Sequence, residues 1–339
     1  MINRKFLKYS FLLVLMTLLT GGCGLPKAPL IVLEKGQWEE VKSKDGSLPK
    51  ARHEAAFVGL GDHFYLLGGR RIQPVSIYSV KKQKWTEGAA PPIELHHFQA
   101  VVYKDEIYIV GAMTGKYPGE TPVPNMYIYN PEKNEWRLGP IIPEDRRRGG
   151  AGAAMLGDVL YLACGIKDGH RGDHKKWLDL YDFRTNTWEQ LPDAPRARDH
   201  FQIQIVEDKI YTLGGRTTRS AEGPFKNTIT EIDVYDIKKQ EWTTLANDLP
   251  TPRAGNFSIA LGTAIIVLGG ESDFRRPAHH EVELLDTKTG KWHELPMLPQ
   301  GRHGTGVIWY NQELYTASGS GNRGGGPELT DLWKFTIGL

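Results

Sequence analysis

Beyond residue 36, apolar positions come in short Val/Ile/Leu/Tyr runs divided by glycine, proline and small polar turns, which predicts many short strands. Six tryptophans, Trp38, Trp85, Trp136, Trp188, Trp242 and Trp292, stand 47, 51, 52, 54 and 50 residues apart. Five of them follow an apolar residue by seven positions: Tyr78, Tyr129, Tyr181, Tyr235 and Leu285. Polar turns such as Lys81-Lys82-Gln83 lie between, so each unit ends in a hairpin. Upstream in each unit an apolar strand runs into a pair of small residues: Gly68-Gly69, Gly111-Ala112, Cys164-Gly165, Gly214-Gly215, Gly269-Gly270 and Ser318-Gly319. Small residues fit where backbones approach closely.

A period of about 50 residues is that of a propeller blade. The small pairs, with tyrosine and tryptophan at fixed offsets, resemble the kelch repeat over residues 38–339. The resemblance implies an all-β, six-bladed kelch propeller of four antiparallel strands per blade. The sixth unit ends before its tryptophan, and the orphan segment around Trp38 supplies one. The ring is therefore expected to close by pairing of the N-terminal strand into the C-terminal blade, which removes the exposed edges.

The start of the chain has a different pattern. Arg4, Lys5 and Lys8 precede an apolar run, Phe11 to Leu19, followed by Thr20-Gly21-Gly22-Cys23, the layout of a cleaved export signal. The last four residues resemble a lipobox, with threonine where leucine is usual. The expected organisation is a signal peptide over 1–22, a lipidated Cys23 with its tether over 23–35, and a propeller over 36–339. Gly24 is not aspartate, so the expected location is the outer membrane of a Gram-negative bacterium. Cys23 and Cys164 are the only cysteines, and lipidation of the first leaves no internal disulfide.

Composition adds little to this. A net charge of +2 over 339 residues offers no bulk basicity for nucleic acid, and 40% hydrophobic content supports a sizeable core. The distribution of charge is more informative. The loops between second and third strands vary most in length, and variable loops are where recognition usually sits. Strand placement puts 16 of the 18 arginines after Cys23, and nine of 11 histidines, on that long-loop face. Guanidinium forks suit carboxylate, sulfate or phosphate.

In five units an arginine stands thirteen residues before the second-strand reference position: Arg52, Arg148, Arg198, Arg253 and Arg302, with Leu95 in the remaining one. His53, His96, Asp199 and His303 follow directly, and His97 and His200 come one later. The expected anion-receiving mouth comprises Arg52, His53, Arg70, His96, His97, Arg148, Arg198, His200, Arg216, Arg253, Arg302 and His303. Its expected ligand is an acidic sugar or glycan, bound by a membrane-tethered monomer that takes no nucleic acid.

No compact metal motif occurs and no cofactor is expected, although a transition metal could be held by His53, His96 and His303 if these converge. The kelch copper oxidase that acts on galactose offers no residue-by-residue match. Bacterial sialic acid mutarotases, also exported six-bladed kelch proteins, are similar in size. That likeness implies a sugar epimerase, mutarotase or lyase as an alternative, with Glu271, Asp199, Glu54 or His53 as acid/base candidates. A third expectation is a protein-docking scaffold anchored by Tyr117, Trp177, Phe225 and Phe274. Gly319-Ser320-Gly321-Asn322-Arg323-Gly324 satisfies a dinucleotide pattern, but Pro327 follows too soon for a helix, so a loop is expected.

Overall fold

The computed structural model describes residues 33–219, 221 and 223–337, so the export signal and Cys23 lie outside the described residues. Six four-stranded antiparallel sheets form the blades, and five of them are built from strands that follow one another in sequence. Blade one, for example, runs Ala55–Leu60, His63–Gly68, Ser76–Ser79 and Lys84–Glu87. Blade four runs Gln202–Val206, Lys209–Leu213, Asp233–Asp236 and Glu241–Thr244. The inner strands of neighbouring blades lie against one another around a central axis.

The exception to sequential order is blade six. Its strands Ile308–Tyr310, Glu313–Ala317 and Leu332–Thr336 are completed by Gln37–Glu40 from the other end of the chain, with Trp38 opposite Phe335. Trp38 therefore occupies the column filled elsewhere by Trp85 opposite Tyr78, Trp136 opposite Tyr129, Trp188 opposite Tyr181 and Trp242 opposite Tyr235. The rings of these four Tyr–Trp pairs stand 5.1 to 5.2 Å apart, a cross-strand aromatic contact repeated from blade to blade.

The indole N–H reaches sideways to the preceding blade. Trp136 donates to Ala89 O at 2.9 Å, Trp188 to Ile141 O at 2.8 Å, Trp242 to Pro192 O at 2.8 Å and Trp38 to Pro296 O at 2.8 Å. In these four blades the recurrent tryptophan thus fastens the outer strand to the neighbouring sheet and leaves its N–H satisfied. Packing begins earlier than the tether boundary expected from sequence: Leu33 is buried against Phe257, Leu298 and Phe335 because the closing strand is anchored upstream of Gly36.

Candidate functional site

Six turns meet on the axis at the top of the inner strands. Their backbones form an unbroken ring, in which Ala55 N donates to Gly304 O, Gly304 N to Gly255 O, Gly255 N to His200 O, His200 N to Gly150 O, Gly150 N to His97 O and His97 N to Glu54 O. The ring residues Glu54, His97, Gly150, His200, Gly255 and Gly304 all have φ between 53° and 64°. That left-handed conformation suits glycine and costs a residue with a Cβ about 1–2 kcal/mol. Three blades use glycine there. The other three place an acid or an imidazole against the cost, and these side chains converge on the axis.

A second column lies beside the first. The residues just after the small pairs, Arg70, Met113, Ile166, Arg216, Glu271 and Ser320, run alongside the lead-in segment of their own blade. Above the ring a cavity of about 460 Å³ opens, lined by His53, Glu54, Arg70, His97, Tyr117, His170, Arg216, Phe225 and Glu271, among others. Two-stranded ribbons in the loops of blades two and three, Met113–Thr114 with Thr121–Pro122 and Ile166–Asp168 with Gly172–His174, carry Glu120 and His170 to it.

The five repeated arginines are not part of this mouth, which corrects the sequence expectation. Arg52, Arg148, Arg198, Arg253 and Arg302 are wholly buried. Each reaches under its own blade to carbonyls at the end of the second strand. Arg52 donates to Gly68 O at 3.0 Å, Arg148 to Leu162 O at 2.7 Å, Arg198 to Gly214 O at 2.8 Å, Arg253 to Val267 O at 3.3 Å and Arg302 to Ser318 O at 3.1 Å. Four also pair with a carboxylate at or beside the third strand: Asp179, Asp233, Glu283 and Asp331. The guanidinium thus gives these carbonyls a donor near the point where the chain reverses at the small pairs.

The remaining cations at the cavity are already compensated. Arg70 donates to Glu120 at 2.6 Å, and Arg216 donates to Glu271 at 2.6 Å and to Thr218 at 2.7 Å. Burial presses the Glu271 carboxyl upward, but His303, Arg216 and the Gly324 amide outweigh it and hold its pKa at about 2. Burial likewise opposes ionisation of Glu54, and the adjacent His200, His303 and His53 overcome it, so that carboxyl too sits below its ordinary range. Desolvation pushes His97 well below 6.5 and lowers His200, and it brings His96 down to about 4. The paired carboxylates therefore cancel the charge of Arg70 and Arg216 at the mouth.

The expected trio of histidines is also redrawn. His53 and His303 approach with ring centroids 6.4 Å apart, but His96 turns away, its Nε2 on Gly115 O at 3.2 Å and its Nδ1 on His97. That bond to the loop of its own blade holds His96 off, whereas His53 lines the cavity from the same place in blade one. The imidazoles that meet are His97, His170 and His200, with centroids 4.5 to 5.1 Å apart. Asp199 is buried beneath them and holds His200, His174 and Thr218.

Among the expected aromatic anchors, Tyr117 and Phe225 line the cavity, and Phe274 is exposed against His279. Trp177 instead packs under Arg146 and Lys175 of its own blade. Sequence reasoning missed Glu120. His170 likewise stood outside the residues expected of the mouth. The contrast of Glu54, His97 and His200 with glycine in the matching place of three other blades is the signal that could have found the axial residues.

Comparison with known proteins agrees with this architecture. Residues 27–274 match a family model described as the Attractin/LZTR1 beta-propeller, and residues 252–299 match the Kelch motif. Kelch-like protein terF of Aspergillus terreus is 30% identical over 331 residues, covering 90% of this chain and 69% of the fungal protein. Kelch-like protein 38 of Rattus norvegicus is 23% identical and Kelch-like protein 23 of Homo sapiens 27%, and the chain spans only 42% of each. The solved structure of YjhT superimposes with a TM-score of 0.71 at 16% identity, covering 86% of this chain and 96% of that one.

Proposed function

The chain belongs to the kelch-repeat β-propeller family, and on that footing we propose that it binds a small polyhydroxylated ligand, the size of one or two sugar rings, in the cavity on its long-loop face. The observation that carries this reading is the cavity of about 460 Å³ itself, with Tyr117 and Phe225 as apolar walls and Glu271, Arg216, Arg70 and His53 as hydrogen-bonding groups. Pockets of this size with aromatic walls and a few placed polar groups suit small ligands.

The sequence pattern favoured an anion. Because Arg70 and Arg216 are engaged by carboxylates, a neutral or weakly charged sugar fits better, and its affinity should change little with salt. Saturation-transfer NMR followed by calorimetry with a panel of monosaccharides and disaccharides tests this. A sugar ligand whose affinity falls about tenfold or more in Phe225→Ala is the expected result. Absence of any sugar ligand, or binding indifferent to that change, would defeat the proposal, and steep weakening with salt would return it to an acidic ligand.

One observation favours turnover as a second reading. Glu54, Glu271 and His303 present ligand atoms within 4.8 Å of one another at the cavity floor, a group able to accept and return a proton. Following anomer equilibration of the bound sugar by NMR, with Glu271→Gln as the comparison, separates binding from mutarotation: a rate equal to that in buffer leaves binding alone.

Export and lipid anchoring through Cys23 remain part of the proposal and rest on the pattern of residues 1–23. Labelling with a radioactive fatty acid should be abolished by Cys23→Ser. Label retained in that variant would sink the anchor.

A further inference from the structure

From the axial histidines we infer a transition-metal site formed by His97, His170 and His200, with the open side of the metal turned to the cavity. One nitrogen of each imidazole lies within 4.8 Å of the others, and the three rings stand at 69° to 77° to each other. All three residues are more than nine-tenths buried. The site opens into the same cavity, whose lining includes His97 and His170, but its three ligands are not among the Tyr117, Phe225, Glu271, Arg216, Arg70 and His53 of the sugar reading, so metal binding is tested apart from sugar binding.

Hydrogen bonding fixes which nitrogen each ring offers. His170 Nδ1 lies 3.0 Å from the Glu120 carboxylate, so it carries the proton, and Nε2 is left with its lone pair. His200 Nδ1 is likewise held by Asp199, and its Nε2 is buried without any partner. His97 is set through a relay. The Gly115 carbonyl accepts from His96 Nε2, which leaves His96 Nδ1 bare to accept from His97 Nδ1 at 2.5 Å. The His97 Nε2 lone pair then faces Glu54 Oε2 at 3.3 Å, two acceptors in contact with no proton between them.

A cation resolves these contacts. Three neutral imidazoles whose far nitrogens donate to carboxylates or to another ring form the arrangement used by three-histidine metal centres, in which outer partners fix the tautomer and raise ligand basicity. Imidazole donors select first-row divalent ions such as zinc, copper, iron or nickel over magnesium or calcium. Glu54 stands on the open side, as a fourth ligand or as the acceptor for a metal-bound water. Here Glu120 and Asp199 are positioning residues.

The test uses the purified full chain, stripped with chelator and titrated with zinc by calorimetry and with cobalt by visible absorption. One ion per chain and the ligand-field bands of a four- or five-coordinate cobalt site are expected. His170→Ala with His200→Ala should weaken zinc at least a hundredfold, whereas His280→Ala, a half-exposed histidine away from the site, should leave it unchanged. If the double variant does not fold, Glu120→Gln, which keeps all three ligands, should weaken zinc about tenfold to a hundredfold and shift the cobalt bands. Failure to bind stoichiometric zinc, or zinc and cobalt signals unaltered in both variants, overturns the assignment.

Discussion

Replacing Arg253 with leucine is expected to cost about 3–5 kcal/mol of stability, the usual penalty for removing one partner of a buried ion pair. Arg253 is wholly buried and donates to Glu283 at 2.6 Å and to Val267 O. Without it, Glu283 keeps only the Thr251 hydroxyl at 2.5 Å, and an ionised carboxylate is stranded between sheets. The double change Arg253→Leu with Glu283→Leu should recover at least half of the loss, since the carboxylate disappears as well. Blade two is the natural precedent: Leu95 takes the arginine position and packs in one apolar cluster with Tyr127, which stands where blades three, four and five carry Asp179, Asp233 and Glu283. Urea denaturation of the three proteins measures the cycle. A single variant within 1 kcal/mol of the parent, or a double variant worse than the single, would mean that the arginine is not an internal tie.

The second large effect concerns closure. Removing residues up to Val41 takes away the fourth strand of blade six, the Leu33 anchor and the Trp38–Pro296 bond. It uncovers Phe335, now 1% exposed, and leaves Leu332–Thr336 as an open hydrogen-bonding edge. Phe335 alone is the kind of core aromatic whose truncation costs about 3–5 kcal/mol, and an unpaired edge recruits other chains. The shortened protein is therefore expected to elute as oligomers or aggregate in size exclusion with light scattering, and a synthetic peptide spanning 33–41 should restore some monomer. A truncated chain that stays monomeric with an unchanged melting temperature would show that the ring holds without its clasp.

The architecture could be read from the sequence because it rests on spacing. Tryptophan, tyrosine and small pairs recur once per blade, and the missing sixth tryptophan located the closing strand. Even the column Arg52, Arg148, Arg198, Arg253 and Arg302 was visible. Its meaning was not, since residue type cannot tell a guanidinium facing solvent from one folded under its own strand, and the carbonyls and carboxylates that hold it inside appear only once the backbone is in place. The histidines illustrate the same limit. Adjacent residues such as His96 and His97 share a hydrogen bond, yet only the second meets His170 and His200, so counting positions brought together the wrong three. Glu120 and His170 arrive from loop ribbons of different blades, and no regular offset in the chain announces that meeting.

The closed circuit of backbone bonds through Glu54, His97, Gly150, His200, Gly255 and Gly304 has a mechanical consequence. It encircles the axis between the chamber of about 460 Å³ on one side and a hollow of about 300 Å³, walled by the inner strands, on the other. Within the circuit the space narrows to about 40 Å³, too little for a sugar ring, so a sugar that enters at the loops must leave by the same door. The blades cannot splay apart to admit it without breaking the circuit, which leaves the loops as the hinged parts. Three of the six stations on that circuit are still glycine, and at one of them, Gly304, an added Cβ would meet the Glu54 amide nitrogen at 2.6 Å, so that station cannot take a side chain without the circuit shifting.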